Sequence, residues 1–486
     1  MEYLPIVIIF GYLIALLIIG LLAAKKSIPT AADFFVANRS IGLIATFFGL
    51  QATWWSAFAF LGSCGYFYSY GTLYLTAFGW NVLFAVSMYV LGRRIWKAGK
   101  AFNFISPADM FSHYYNSKLA GLLVTIIMAT FTVPYLQIQL AGGGYLFEVA
   151  TGGAIPYWAA AVIFYVIIVI YTWSGGLRAI IWTDLLQGAM LAGGLLIGGL
   201  AVSYAVVGGP GALFERMISD YPQWLTFGGP VPYNNYASWF SLFIVTPIGA
   251  MLGPQMFLKI YAAKDENYFR YVVPMLCFIT FPYFGSMLAG WSGLFAFPNL
   301  ATPDKVFPLT LMAYTPLVFA SFVMAAGLAA AQSTADGQIH ACSMLLTRDI
   351  YQKFIRKDKP EQHYVLFGRI MLVVFAAIAL FFALFAPGYL VTIGAVALGG
   401  TAQILPPLLG MFFWPRSTKE GCIAGLLGGL ITVVVTQFTP GFVNPLGIFS
   451  GIWGLLVNSI LFVVVSLATK PLPIEAVRAF HKALQS

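Results

Sequence analysis

Thirteen stretches of this sequence are apolar over roughly the 20 residues a helix needs to cross a bilayer. They lie near 3–24, 42–70, 75–98, 119–148, 155–174, 178–207, 237–260, 271–297, 313–347, 364–386, 389–414, 421–439 and 447–469. Composition agrees: 60% of the 486 residues are hydrophobic and 8% are charged, against roughly a quarter charged in soluble domains. No soluble core hides that much apolar surface, so lipid must solvate it. No polar linker divides the chain. The expectation is one all-α integral membrane domain of about thirteen transmembrane helices, with the lipid bilayer as its partner over most of its surface.

Charge tests the count independently. Thirteen spans place the two ends of the chain on opposite sides. With the N-terminus outside, the inside loops receive Lys25, Lys26, Arg39, Arg93, Arg94, Lys97, Lys100, Lys118, Arg178, Lys259, Lys264, Arg270, Arg348, Lys353 and the basic residues that follow. Of 25 lysines and arginines, only Arg216 and Lys305 fall outside. A missed or invented helix would scramble that alternation. The expected topology is multi-pass in a cell (inner) membrane, N-terminus outside and C-terminus cytoplasmic. The net charge of +9 is then a topology signal. Its spread over short loops, with no single basic stripe, argues against a nucleic-acid partner. The first segment opens on Met1 and Glu2 and carries its lysines at the far end, so it reads as a span and not as a signal peptide. Cys64, Cys277, Cys342 and Cys422 show no CxxC spacing and read as small buried hydrophobes.

Three segments contain both polar residues and chain breakers, neither of which a mere anchor has reason to hold. The second reads Gln51-Ala52-Thr53-Trp54-Trp55-Ser56, then Gly62, Ser63 and Gly65. The seventh holds Thr246-Pro247-Ile248-Gly249 and Gly253-Pro254-Gln255. The ninth runs Gly327 to Thr334 as GLAAAQST, followed by Asp336. Segments two and seven begin equivalent five-helix blocks that enter the membrane from opposite sides, the arrangement in which interrupted helices mark a transporter's binding site.

Within these segments Ala330, Ser333 and Thr334 stand at i, i+3 and i+4, on one helical face. Two hydroxyls and a backbone carbonyl beside an unwound stretch suit a small hard cation. The same hydroxyls also suit hydrogen bonds to their own helix or a neighbour. Asp184 is a carboxylate inside the sixth segment. It reads either as a cation or proton site or as a structural partner of Arg178. Asp336 carries the same two readings, with a solvated vestibule as its bland one. Tyr135, Gln137 and Gln139 can bind a solute or stitch helices together. Gly421, Gly425 and Gly429 read as helix packing.

With these segments laid out, the chain resembles the sodium:solute symporter family. The resemblance rests on Ala32-Asp33-Phe34-Phe35 with Asn38-Arg39-Ser40, and on Tyr171-Thr172-Trp173-Ser174-Gly175-Gly176-Leu177-Arg178 running into Trp182-Thr183-Asp184. It continues through Gly253-Pro254-Gln255 with Ala262-Ala263-Lys264, Gln332-Ser333-Thr334-Ala335-Asp336 and Leu346-Thr347-Arg348-Asp349-Ile350-Tyr351. It implies a LeuT-type five-plus-five inverted repeat: a leading helix at 3–24, a first repeat at 42–207, an inverted second repeat at 237–414, two trailing helices at 421–469 and a cytoplasmic tail at 470–486.

The resemblance also implies Na+ as coupling ion, held by carbonyls of Ala52, Trp55 and Ala330 and hydroxyls of Ser333 and Thr334. Some members place a second sodium at the position of Asp184, together with a hydroxyl where this chain has Ala330. Trp54 stands where proline carriers have an aspartate, which weighs against proline. Ser56 is implied to face the solute, and Phe60, Asn81, Tyr135, Gln137, Gln139 and Gln403 are further candidates by their place in pocket-lining segments. The stretches VPYLQIQL and SGGLRAIIWTDLLQG look nearest to the monocarboxylate and pantothenate branch.

The expected function is therefore sodium-coupled import of a small organic solute, such as a monocarboxylate, by alternating access. The competing reading is a proton-coupled carrier using Asp184 or Asp336. A transporter-fold sensor is the less expected reading, since such proteins normally carry a signalling domain. An intramembrane enzyme lacks any catalytic spacing around His340 or the carboxylates.

Overall fold

In the computed structural model the described residues are 4–25, 30–230, 236–386, 388–439, 442 and 444–485. Lys26 and the outermost bounds of the expected leading helix and tail, residues 3 and 486, lie outside them. The described residues form an all-helical body.

Among the described residues ten helices are long and apolar enough to cross a membrane, or eleven when the bent pair Tyr236–Met251 and Pro254–Ala262 is taken as one span. Two of these are compound. Tyr157–Val207 is broken at Gly176, whose backbone (φ 56, ψ −149) is not helical. Phe58–Ala101 is interrupted at Gly71 (φ 57, ψ −129), and its first part continues Leu43–Trp54. Divided there, the helices recover the thirteen spans in order.

Spans one (Leu4–Ala24), ten (Glu361–Phe385), twelve (Lys419–Phe438) and thirteen (Ser450–Ala468) form the rim. They present Ile14, Ile18, Val374, Ile378, Ile431, Val435, Ile460 and Val464 outward, an apolar face for lipid. Span nine (Leu317–Ile355) is the axis. Every residue from Val323 to Met344 is buried, which its glycines and alanines permit by letting neighbours approach closely. A Cβ at Gly327 would meet the Phe60 ring at 2.7 Å.

Span two breaks as expected. Its first half ends at Trp54, Trp55 is extended (φ −93, ψ 102), and the chain resumes through a π-helical turn at Phe58–Gly62 into Ser63–Tyr70. Span seven breaks as well, bending by 51° at an extended Gly253 followed by Pro254 at the first helical position. Span nine differs: it runs as continuous helix from Leu317 to Met344. Its small residues serve packing there and do not interrupt the helix.

The two broken spans are joined. Ile41 N donates to Ala262 O at 3.1 Å and Lys264 N to Ile41 O at 2.9 Å, so the entry of span two and the end of span seven form one short bridge. The tail contains the helix Ile474–Ala483, held by Phe480, which stacks on Phe102 at 5.6 Å.

Candidate functional site

A helix interrupted inside a protein must find partners for the backbone groups it frees, and the break in span two draws those partners from spans four and nine. Ala57 N donates to Gln139 Oε1 at 3.0 Å, and Phe58 N to Ser56 Oγ at 3.1 Å. From span nine, Ser333 Oγ donates to Ala52 O at 2.8 Å and lies 3.3 Å from Ala330 O. Thr334 Oγ1 lies 3.1 Å from Thr53 O, 3.4 Å from Ala52 O and 3.5 Å from Ala330 O.

Two hydroxyls and three carbonyls thus converge between a broken and an intact helix, all from fully buried residues. These are neutral hard oxygens without a carboxylate among them, a donor set that fits a monovalent hard cation. Trp55 stands at the break itself, its N–H bonded to Gln51 O at 2.9 Å.

Around the break the other candidate residues group unevenly. Asn81 Oδ1 accepts from the indoles of both Trp54 (2.6 Å) and Trp55 (3.0 Å), and its Nδ2 donates to Ala77 O at 2.7 Å. The Tyr135 side chain lies beside that of Ser56. Phe60 packs on Phe307 with ring centroids 5.2 Å apart. Ser56, Asn81, Tyr135 and Gln139 are therefore brought together at the break. Gln137 instead donates to Ala386 O at 2.6 Å, between spans ten and eleven. Gln403 donates to Gly399 O and to Gly451 O of span thirteen, at 2.9 and 3.0 Å, and faces the trailing helix.

Asn81→Leu leaves two buried indole N–H groups unpaired, at a cost of about 1–3 kcal/mol each. The half-saturating solute concentration is expected to rise at least tenfold, and Asn81→Asp, which keeps the acceptor, to recover most of the loss. Uptake kinetics on the two variants check this.

The partner of Asp184 is not Arg178. Arg178 Nη2 lies 2.5 Å from Asp33 Oδ1, whereas Asp184 Oδ2 is 2.7 Å from Lys259 Nζ. Lys259, counted by charge alternation among the loop residues, is buried, with 2% of its side chain exposed. Its ammonium also reaches Gly49 O at 2.9 Å and the Thr53 hydroxyl. Thr53 in turn lies 3.2 Å from Ser333 O through its hydroxyl, so it links the lysine to the oxygen cluster. Asp336 Oδ2 accepts from Tyr171 at 2.6 Å, while Asp336 Oδ1 has no hydrogen-bond partner among the described residues. Lys259 and Thr53 escaped the sequence reading. The signal was present: a carboxylate inside a span requires a cation, and Lys259 follows the Gly253-Pro254 break.

The model of the sodium:solute symporter family matches residues 34–429. The sodium/pantothenate symporter of Haemophilus influenzae is 25% identical over 445 residues, covering 89% of this chain and 90% of that protein. The sodium/proline symporter of the same organism is 26% identical over 506 residues, covering 97% and 96%. An uncharacterized symporter of Bacillus subtilis, YhjB, is 26% identical over 487 residues, covering 96% and 97%. Among solved structures, a Na+-coupled sialic acid symporter in a substrate-bound outward-open state aligns with a TM-score of 0.80 at 18% identity, over 96% of this chain and 98% of that one. That likeness is one of fold, the LeuT type that the family resemblance implies. The chain belongs to the sodium:solute symporter family, and it is a multi-pass membrane transporter with Na+ as its coupling ion.

Proposed function

We propose that this chain imports a small organic acid together with sodium by alternating access, the sodium held by Ala52, Trp55, Ala330, Ser333 and Thr334. The observation that carries the reading is the convergence of Ser333 Oγ and Thr334 Oγ1 on the carbonyls of the broken second span. Sodium there bridges a helix that must move to an intact one, favouring one state of the transporter and ordering the break beside it. The solute's affinity rises with sodium through that shared state.

The solute site is assigned to Ser56, Asn81, Tyr135 and Gln139 at the break, with Phe60 as an apolar wall. Hydroxyl, indole and amide groups bind a carboxylate by hydrogen bonds, and the adjacent sodium supplies the countercharge. A carboxylate is favoured because relatives include sodium/pantothenate symporters and because Trp54 is a neutral donor beside this site.

The repeats are assigned to 42–207 and 237–414, and the basic loops to the cytoplasm of a cell whose inner membrane holds the protein. A sodium ion moving inward gains about 2.3 kcal/mol per 100 mV from the membrane potential, a gain that the charge of one co-transported carboxylate offsets, so the sodium concentration gradient supplies the drive.

Uptake of labelled lactate, pyruvate, pantothenate, proline and sialic acid into proteoliposomes tests this. The expected result is accumulation of one organic acid under an inward sodium gradient and not under an equal proton gradient. Accumulation driven by protons alone overturns the reading and moves attention to Asp184 and Asp336.

A further inference from the structure

We propose that the ammonium of Lys259 is a built-in cation that fills the place of a second coupling ion at Asp184, so that one sodium moves with each solute. The inference rests on the assignment of sodium to the cluster at Ala52, Ser333 and Thr334.

The ammonium sits among a carboxylate oxygen of Asp184 at 2.7 Å, the Gly49 carbonyl at 2.9 Å and the Thr53 hydroxyl. A carboxylate, a carbonyl and a hydroxyl are hard oxygens of the kind a monovalent ion also takes, and here a side chain occupies them. Asp184 is fully buried, so separating the pair would strand a charge. The ammonium and its stem lie against the backbone of spans two and nine, within ordinary contact distance of the Gly49 and Gly337 positions.

Charge balance gives the stoichiometry. Two carboxylates, Asp184 and Asp336, share this interior with one ammonium. Asp336 takes the Tyr171 hydroxyl on one oxygen and has no hydrogen-bond partner on the other among the described residues. One negative charge is left over, two residues along span nine from Thr334. A single sodium at Ser333 and Thr334 neutralises it, and Thr53, which touches both Lys259 and the cluster, joins the fixed cation to the mobile one. Without the lysine the interior carries two uncompensated negative charges, and the oxygens of Asp184, Gly49 and Thr53 are free for a second ion. With the lysine in place, a cycle carrying a monocarboxylate moves no net charge.

The test counts sodium in two ways on the full chain: equilibrium 22Na+ binding in detergent, and the 22Na+ to solute flux ratio in proteoliposomes. The native protein and Lys259→Arg are expected to bind one sodium and to show a ratio of one. Lys259→Ala is expected to bind two, and its ratio to double. Asp184→Asn/Lys259→Ala, which removes both charges, is expected to return to one. Should Lys259→Ala fail to fold, the native count and the double variant decide. A native protein with two sodium sites, one lost in Asp184→Asn and the other in Ser333→Ala/Thr334→Ala, overturns the proposal while the cluster assignment stands. A single native site untouched by Ser333→Ala/Thr334→Ala overturns the assignment and the proposal with it. A folded Lys259→Ala that still binds one sodium also overturns the proposal.

Discussion

Replacing Ser333 and Thr334 together by alanine is expected to raise the half-saturating sodium concentration for uptake at least 100-fold. The two hydroxyls are the side-chain oxygens that span nine contributes to the cluster, and both face carbonyls of the broken second span. A hydrogen bond or dipole directed at a charged group contributes about 1.5–3 kcal/mol. Losing two costs about 3–6 kcal/mol, and each 1.4 kcal/mol is tenfold in affinity. The loss is one of binding, so raising external sodium recovers part of the uptake. Measuring uptake against sodium concentration in proteoliposomes separates this from a failure to fold, which no sodium concentration repairs. A double variant with its native sodium dependence would place the ion elsewhere.

The architecture was legible because bilayer physics writes it directly into the chain. A span needs an apolar run of fixed length, and thirteen such runs stand in order along the sequence. The breaks at Trp55 and Gly253 were legible for a related reason: polar residues, glycine and proline inside a span are tolerated only where the freed backbone finds partners. What stayed hidden depended on the direction a side chain takes. Gln403 lies in the same kind of segment as Gln139, yet one amide turns to Gly451 of span thirteen and the other to Ala57 at the break. Residue type and spacing are silent on that difference.

Lys259 was hidden differently. A lysine near the end of an apolar segment counts as a loop residue in any hydropathy window, and only the 51° bend of span seven carries it inward. Span nine was misread in the opposite sense. The glycine and alanines that suggested an interruption serve close packing against rings such as Phe60.

The motifs that carried the family resemblance acquire a physical reason in one buried ion pair, and breaking it is the second large effect expected. Asp33 lies in the short helix Ala31–Val36, capped by the Thr30 side chain, which accepts from Asp33 N. Its carboxylate is fully buried and takes Arg178 at 2.5 Å and Asn38 at 2.9 Å. Arg178 follows by two residues the break at Gly176, where a Cβ would lie 2.6 Å from Phe34 O. The pair therefore fixes the first connecting segment against the junction of spans five and six. Arg178→Ala leaves the carboxylate buried without that arginine, a loss of the kind that costs about 3–5 kcal/mol. Lowered melting temperature and expression are expected, with uptake falling in proportion to folded protein. Asp33→Asn/Arg178→Ala, which removes the carboxylate's charge as well, should melt higher than Arg178→Ala alone, because residues in direct contact do not act additively. Equal melting temperatures for the two would assign the loss to the packing of the arginine stem, and the charge pair would then contribute little to holding the junction.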